Sequence, residues 1–448
     1  MIYHKSKHLG FVNGNHGYIV YNKKLNNAMV IDEKAKEFIE SLDEVHIPCN
    51  KFREDESEFF STLCDAGLFL PDGVTEKSLI TQKNDDYLER FSTGKPIDSI
   101  TLQSTTRCNF ACPNCIAHKS NENSTNMSFD TAKSILDSFI YFKKAVDDDF
   151  DFFNLSYGGK EPLCNFELIE KTEKYLATEY PSIQHVSRLV SNITQADEKV
   201  ISFLKENKIH IITSLDGNME ANDANRIYMD GRGTYHDIID KIKLFQQLGY
   251  PLDTINMVIT ETSRLLLRMD FLSSLPDMGI HEVAISFDEV HAGSINAEGK
   301  LTLIADAMRY AEKLNLDISG SWGKPRDYLS SKSYMMDDAY AHCNAFSGKG
   351  IFVDQNGYIR VCAYAEATDV HISKIEEAIL PGGLLYNSIK KELLGNNEMC
   401  DGCDFEGSCV GMCPATRENA GAGIVEQCDF IRSINRFLLA EELKNNGL

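Results

Sequence analysis

The chain has 448 residues, of which 43% are hydrophobic and 25% are charged, and its formal net charge is −22. That length predicts two or three domains rather than a single core. The acidic charge argues against binding to nucleic acid or to anionic membranes, and no apolar run approaches the roughly 18 residues of a membrane span. The N-terminus lacks the basic and apolar regions of a signal peptide, so we expect a cytoplasmic protein.

Residues 1–75 are predicted to form a small α+β domain. The segment 10–32 has the β-branched runs and Asn-Gly turns of short strands, 33–42 and 54–67 have helical apolar spacing, and 68–73 has the pattern of a final strand. The polar residues 76–96 that follow are predicted to be a linker.

Residues 97–325 alternate between strand and helix patterns and are predicted to form a second domain. Amphipathic helices separate six apolar, β-branched runs at 97–104, 152–159, 184–192, 208–217, 253–261 and 281–289. Six consecutive βα units predict a parallel sheet, open or curled into a partial (β/α)6 barrel, with ligands at the C-terminal ends of the strands. The expected fold class is therefore α/β.

The last predicted domain, 326–448, has short irregular stretches and most of the remaining cysteines, of which the chain has 13. Because a cytoplasmic compartment is reducing, closely spaced cysteines indicate metal or redox chemistry rather than disulfides. A segment with so few core-forming runs is expected to need bound metal for its stability.

Three cysteines, Cys108, Cys112 and Cys115, follow the first strand of the predicted sheet with the spacing C-x3-C-x2-C. This placement puts them in a loop at the ligand-binding end of the strands. A structural zinc ion needs four ligands, and His118 could complete such a set. The alternative is a [4Fe–4S] cluster with three protein ligands, which leaves one iron open to a substrate or cofactor.

This motif in this position resembles that of the radical S-adenosylmethionine (AdoMet) enzymes. The resemblance implies that Cys108, Cys112 and Cys115 are the catalytic cluster ligands and that the open iron chelates AdoMet. Reductive cleavage of AdoMet then gives a 5′-deoxyadenosyl radical that abstracts hydrogen from the substrate, with the electron supplied by a donor such as flavodoxin or ferredoxin. Asn114 departs from the pattern, because the family usually has an aromatic residue there.

Motifs at three further strand ends resemble the AdoMet-binding segments of the same family. They are 157-YGGKEPL-163, 191-SN-192 and 214-SLDGNMEANDANR-226, and Lys160 is an insertion into the first. The resemblance implies AdoMet contacts from Gly158, Gly159, Glu161, Ser191, Asn192, Ser214 and Arg226. The nearby Cys164 is either a hydrogen-atom donor or a buried thiol at a helix start.

The cysteines of the last segment resemble the seven-cysteine SPASM extension of radical AdoMet enzymes. The resemblance implies two auxiliary [4Fe–4S] clusters, and thus three clusters in all. One would be held by Cys400, Cys403, Cys409 and Cys428, and the other by Cys343, Cys362 and Cys413. A pair of structural zinc knuckles is the alternative. Residues 354–362 are predicted to form a hairpin that turns at Gly357 and carries Cys362 on its returning strand.

The N-terminal domain resembles the winged-helix recognition element of enzymes that modify ribosomally made peptides. The resemblance implies that it captures the leader of a precursor peptide by adding it as a strand to its small sheet. An unrelated α+β cap is the alternative. In sulfatase-maturing relatives an aspartate directly follows the cysteine equivalent to Cys362, whereas Ala363 follows it here, and this favours a peptide substrate.

The resemblance therefore predicts a peptide maturase that abstracts hydrogen from a precursor peptide and forms a thioether or carbon–carbon crosslink. Auxiliary clusters suit a product from which a second electron must be removed. Two alternatives stay open. One is an anaerobic sulfatase-maturing enzyme that forms formylglycine, and the other is a non-catalytic iron–sulfur protein that transfers electrons or binds peptides.

Overall fold

The computed structural model describes most of the chain. Outside the described residues lie 1, 15–16, 26, 43–46, 49–51, 120–123, 289–294, 330–342, 344, 366–367, 394–399, 410, 412, 416, 418–422 and 446–448, together with the side chains of 55, 118–119, 328 and 423. Cys49, the turn at 15–16 and the side chain of His118 therefore receive no structural account. Among the helices that are described, none is long and apolar enough to cross a bilayer.

The N-terminal unit contains two small antiparallel sheets. The strands are β1 (Ile2–Lys5), β2 (Leu9–Asn13), β3 (Tyr18–Asn22), β4 (Ala28–Ile31), β5 (Ile47–Pro48) and β6 (Phe69–Pro71), and the helices are α1 (Glu33–Ser41) and α2 (Glu54–Asp65). One sheet has the order β5-β1-β6 and the other β2-β3-β4. The strand β1 was not predicted. It is mostly half-buried and forms the centre of its sheet, so pairing with β5 and β6 decides its structure more than its own sequence does.

The predicted linker is largely a helix, α3 (Glu76–Ser92). It begins at a capping box, in which the Thr75 hydroxyl accepts from the backbone N–H of Ser78. Its buried face consists of Ile80, Tyr87, Leu88 and Phe91. Many charged residues on the opposite face mask this apolar stripe, which explains why the segment reads as polar.

The central sheet has nine strands in the order β13-β12-β11-β10-β9-β8-β7-β14-β15. Its first seven strands in the chain are β7 (Ser99–Thr105), β8 (Phe152–Gly159), β9 (Gln184–Ser191), β10 (His210–Ser214), β11 (Thr254–Ile259), β12 (Glu282–Phe287) and β13 (Asp317–Ser319). Neighbours among these strands pair in parallel, which confirms the prediction of a parallel α/β sheet.

Helices cover one face of the sheet. They are α4 (Phe129–Val146), α5 (Phe166–Glu179), α6 (Glu198–Glu206), α8 (Tyr235–Gln247) and α10 (Ala297–Glu312), and three shorter helices are α7 (Met219–Asn225), α9 (Glu261–Leu266) and α11 (Lys324–Leu329). The main core lies between this layer and residues such as Leu155 and Leu189 of the sheet. The other face stays accessible, since Val186 and Val190 of β9 are 42% and 50% exposed.

The last part of the chain continues the same sheet. Strand β14 (Gly350–Val353) pairs in parallel with β7, and β15 (Ile359–Arg360) returns antiparallel to it. Gly357 has φ of +91° in the turn, so the predicted hairpin forms, although Cys362 lies two residues beyond the returning strand. The helices that follow are α12 (Ile375–Ile379), α13 (Leu384–Glu392) and α14 (Gly423–Asn445).

Candidate functional site

The loop that carries Cys108, Cys112 and Cys115 begins directly after β7. The backbone N–H of Cys115 donates to the carbonyl of Cys112 at 3.1 Å, so the two residues form a tight turn. Ala111 donates to the carbonyl of Ile227 at 2.8 Å, which ties the loop to the segment after α7. The loop is thereby fixed at the C-terminal edge of the sheet, where it was predicted to lie.

The thiols of this loop are half-buried and close to one another. Burial raises the pKa of Cys108 to about 12, with smaller contributions from Glu161, Cys112 and Cys164. Burial also raises the pKa of Cys112, whereas the nearby Arg226 guanidinium lowers it. Thiols bind metal as thiolates, so a metal group that binds here displaces protons from them.

The stretch after β8 is shaped by its contacts with β7. Gly159 has φ of +115°, and a Cβ there would overlap the carbonyl oxygen of Thr105. Lys160 donates its N–H to that same oxygen at 3.1 Å. Glycine is therefore required at this position because the backbone of the neighbouring strand β7 lies too close for a side chain. At Gly158 a Cβ would meet the Thr101 side chain at 2.9 Å.

The Glu161 carboxylate lies inside the protein and is 2% exposed. It accepts from the Ser191 hydroxyl at 2.6 Å, from the N–H of Asn192 at 2.8 Å and from the N–H of Leu163 at 3.1 Å. Burial raises the pKa of Glu161, and these three bonds oppose that rise. Glu161 therefore joins the ends of β8 and β9 and keeps limited capacity for a further donor.

The segment after β9 reaches back to the cysteine loop. The Asn192 amide nitrogen donates to the Asn109 side-chain oxygen at 2.9 Å and lies 4.0 Å from the Cys108 sulfur. Asn109 in turn donates to the Thr194 hydroxyl at 2.8 Å. The motifs predicted to share one site after β7, β8 and β9 are thus in direct contact.

An ion pair lies at the ends of β10 and β11. The Arg226 guanidinium contacts both oxygens of the fully buried Asp216 side chain, at 3.0 Å through Nη2 and 2.9 Å through Nε. The same carboxylate accepts from the N–H of Val258 at 2.8 Å and from the Asn225 amide at 3.2 Å. Arg226 is thus held beside the cysteine loop by a protein carboxylate. Ser214, the last residue of β10, is half-buried.

The later cysteines lie near one another in two groups. Burial raises the pKa of Cys362, with smaller effects from Cys413 and Cys343. Burial likewise raises the pKa of Cys409 to about 12, with smaller effects from Cys400, Cys403 and Cys428. Cys362 therefore lies near Cys343 and Cys413, and Cys409 lies near Cys400, Cys403 and Cys428.

Each cysteine group has a basic side chain beside it. Arg226 interacts with Cys112 and Cys115, Lys324 with Cys343 and Cys413, and Arg432 with Cys403 and Cys428. Thiolate ligands are anionic, so a nearby cation stabilises them. Within the described side chains, no three Asp, Glu, His or Cys residues converge tightly enough to hold a single metal ion. Grouped, half-buried thiols with adjacent cations fit the donor set of iron–sulfur clusters.

The tertiary structure adds residues that the motifs did not predict. Asp216, Asn109 and Thr194 fix the residues of the first site through the contacts described above. Tyr364 interacts with Cys115 of the first group as well as with Cys362 and Cys413, so it lies between the two groups. In the sequence, Tyr364 could have been noticed by its place two residues after Cys362.

The N-terminal unit packs on the loop that carries Cys400, Cys403 and Cys409. Lys23 pairs with Asp404 at 2.8 Å, and Lys24 pairs with Asp401 at 2.8 Å and with Glu406 at 3.2 Å. In the core beneath them, the rings of Tyr21 and Phe405 stack with centroids 6.1 Å apart, and Cys403 and Cys409 border the same apolar cluster. The hairpin of β2 and β3 is therefore seated directly on a cysteine group.

Residues 102–272 match the Radical SAM superfamily. The match begins in β7 and includes the three-cysteine loop, Glu161, Asn192 and Arg226. This part of the chain is therefore similar to the radical SAM superfamily.

Among curated proteins the chain is similar to three of note. It is 28% identical to an uncharacterized protein of Methanocaldococcus jannaschii over 60% of this chain and 85% of that protein. It is 19% identical to the radical SAM cyclopropyl synthase TigE of Paramaledivibacter caminithermalis over 89% and 84%. It is 25% identical to a cysteine-type anaerobic sulfatase-maturating enzyme of Clostridium perfringens over 38% and 46%.

Two solved structures share the fold. Native anSMEcpe with bound AdoMet aligns with a TM-score of 0.62 and 18% identity, over 78% of this chain and 98% of that chain. Streptococcus suis SuiB bound to its precursor peptide SuiA aligns with a TM-score of 0.52 and 17% identity, over 93% and 96%. Both alignments cover more of the chain than the radical SAM match over residues 102–272 does.

Proposed function

We propose that the protein is a radical SAM enzyme that abstracts hydrogen from a ribosomally made precursor peptide and forms a thioether or carbon–carbon crosslink in it. The observation that carries this proposal is the grouping of Cys108, Cys112 and Cys115 beside Arg226 at the C-terminal edge of the sheet. The similarity to TigE and to peptide-bound SuiB supports a peptide substrate.

In this proposal the three cysteines of the first loop hold a [4Fe–4S] cluster. When bound, the cluster and AdoMet would supply the 5′-deoxyadenosyl radical that takes a hydrogen atom from the peptide. Arg226 would offset the negative charge of the thiolates, and Asp216 would hold its guanidinium in place. Glu161 and Ser191 would fix the loops around AdoMet, with Gly158, Gly159 and Ser214 as further proposed contacts.

The seven later cysteines are proposed to hold two auxiliary clusters. Crosslinking removes two hydrogen atoms from the peptide, so the second electron needs an acceptor, and the auxiliary groups lie within the same fold to receive it. Tyr364 lies between Cys115 of the first loop and Cys362, so a single side chain separates the first cysteine group from the group of Cys362. An external donor such as flavodoxin or ferredoxin would supply the reducing electron.

The leader of the peptide is proposed to bind as a strand along β4. Strand β2 is the opposite edge of that sheet and belongs to the hairpin that packs on the C-terminal part, so β4 is the edge of this sheet that we assign to the leader. Because Asn22 donates to the carbonyl of Asn27, alternation places the N–H groups of Met29 and Ile31 toward β3 and that of Val30 outward. The exposed Val30 would therefore donate to the peptide backbone.

A proline at this position tests strand addition. Val30→Pro removes the outward N–H without removing a bond to β3, and edge strands tolerate proline. We expect peptide binding to weaken by roughly tenfold, the effect of one lost hydrogen bond, with an unchanged circular dichroism spectrum. Val30→Thr keeps the N–H and should bind normally. Equal affinity of both variants would contradict binding at this edge.

Activity is tested on anaerobically reconstituted protein with AdoMet and dithionite. We expect 5′-deoxyadenosine, and none from Cys112→Ala. Co-expression with short peptides encoded beside the gene should yield a product that has lost two hydrogen atoms per crosslink. An iron-loaded protein that makes no 5′-deoxyadenosine would exclude the enzymatic proposal and favour the electron-transfer alternative.

A sulfatase-maturing activity is the second candidate, because a sulfatase-maturating enzyme and anSMEcpe are among the matches. Ala363 stands where those relatives are expected to carry an aspartate base. The two candidates differ in product, since only the second converts a cysteine-bearing sulfatase peptide to formylglycine. Mass spectrometry of such a peptide after the same reaction distinguishes them.

A further inference from the structure

Three side chains form a closed ring of hydrogen bonds between the cysteine loop and the end of β9. The Asn192 amide donates to Asn109 at 2.9 Å, the Asn109 amide donates to the Thr194 hydroxyl at 2.8 Å, and that hydroxyl donates to the Asn192 oxygen at 2.8 Å. The backbone N–H of Thr194 gives the same oxygen a second donor at 3.1 Å. Each member therefore fixes the orientation of the next.

The ring settles which way the Asn192 amide faces. Its oxygen must point toward Thr194, because the backbone N–H of Thr194 can only donate, and its nitrogen must then point toward the cysteine loop. One of its two N–H groups binds Asn109, and the amide nitrogen lies 4.0 Å from the Cys108 sulfur. The backbone N–H of Phe110 approaches the same sulfur at 3.3 Å. Asn192 is only 6% exposed, so water does not compete with these bonds.

We infer that Asn192 is a positioning residue that donates an N–H···S hydrogen bond to Cys108 and raises the reduction potential of the cluster held by the first cysteine group. This inference rests on the proposed function only in assuming that the cluster binds there. Hydrogen bonds to cysteine sulfur withdraw electron density from the cluster and favour its reduced, more negative form. Glu161, whose carboxylate accepts the Asn192 backbone N–H, acts in the opposite direction by its charge.

The same bonding pattern leaves Asn192 little capacity for AdoMet. Both N–H groups and both acceptor positions of the amide are directed at Asn109, Cys108 and Thr194. A ribose contact would require one of these bonds to break. The ribose role implied by the resemblance and the role inferred from the structure therefore predict different consequences of the same substitution.

The test is a redox titration of the full-length reconstituted chain, followed by electron paramagnetic resonance. The variant in which Cys108, Cys112 and Cys115 are all alanine supplies the background signal of the other clusters. Asn192→Leu removes the donor at similar size, and Asn192→Asp removes it while keeping acceptors for Thr194. Asn165→Leu is the matched control, because the Asn165 amide donates to the carbonyls of Ser104 and Met127 rather than to a cysteine sulfur.

We expect both Asn192 variants to bind the normal amount of iron and AdoMet while the midpoint potential falls. A tenfold change in the redox equilibrium, or about 59 mV for one electron, is the expected scale, and Asn165→Leu should leave the potential unchanged. An unchanged potential with weakened AdoMet binding would overturn the inference in favour of the ribose role. If Cys108, Cys112 and Cys115 of the wild-type protein bound no iron, both the inference and the proposed function would be overturned. An unchanged midpoint potential would overturn the inference and leave the proposed function intact.

Discussion

Removing the Arg226 guanidinium should strongly destabilise the region around Asp216. The Asp216 side chain is fully buried and that of Arg226 is 14% exposed, so Arg226→Leu leaves a carboxylate without its counter-charge. Breaking a buried pair in this way costs about 3–5 kcal/mol. The N–H of Val258 and the Asn225 amide still donate to the carboxylate, which places the expected loss near the lower end.

Hydrogen exchange at the Val258 amide measures this loss locally, because that N–H donates to Asp216. A loss of about 3 kcal/mol corresponds to roughly a hundredfold faster exchange. Arg232→Leu is the control. Its partner Asp230 is 58% exposed, so the change should leave the exchange at Val258 unaltered.

The double variant Asp216→Asn, Arg226→Leu removes both charges and should recover most of the protection at Val258. If Arg226→Leu alone accelerated exchange there by less than tenfold, the carboxylate would not depend on the guanidinium. Arg226 would then be free to bind an external anion, as the family resemblance implies.

Three further outcomes follow from other contacts. Gly407→Ala places a Cβ against the Lys24 backbone and should release the N-terminal hairpin, seen as faster proteolysis near Lys24, whereas Gly382→Ala meets no neighbouring atom and should not. Alkylation of Cys108 in metal-free protein should still rise about tenfold between pH 8.5 and 9.5, because its pKa is raised to about 12, while an ordinary thiol rises less than twofold. Glu173→Leu removes the acceptor of Tyr157, His185 and Ser187 and should lower the free energy of unfolding by about 3 kcal/mol or more. Thermal unfolding measures this loss, and Glu170→Leu, which breaks an exposed ion pair, is the control. Equal melting temperatures of the two variants would contradict the buried network.

The strands and most helices of the central sheet were predictable because each has its own periodic apolar pattern. The six predicted runs correspond to β7 through β12, and α4 (Phe129–Val146) is one of the amphipathic helices expected between them. The pattern failed where burial comes from distant partners. Strand β1 is defined by β5 and β6, and α3 hides its apolar face among charges.

The candidate site shows the same division. Cysteine spacing alone predicted that Cys108, Cys112 and Cys115 share a loop, since eight residues of chain cannot separate them widely. Family resemblance supplied the seven AdoMet positions, but the partners of those residues come from elsewhere in the fold. Arg226 is held by Asp216, and Asn192 is held by Asn109 and Thr194.

The sequence by itself determined the chemistry available to this protein, because thiol spacing and strand-end motifs are local properties of the chain. Only the tertiary structure decided how those groups are oriented and which charges surround them. The hairpin at Lys23 and Lys24 is seated on the loop of Cys403 although hundreds of residues separate them. Such contacts arise from the packing of whole elements, and no local pattern encodes them.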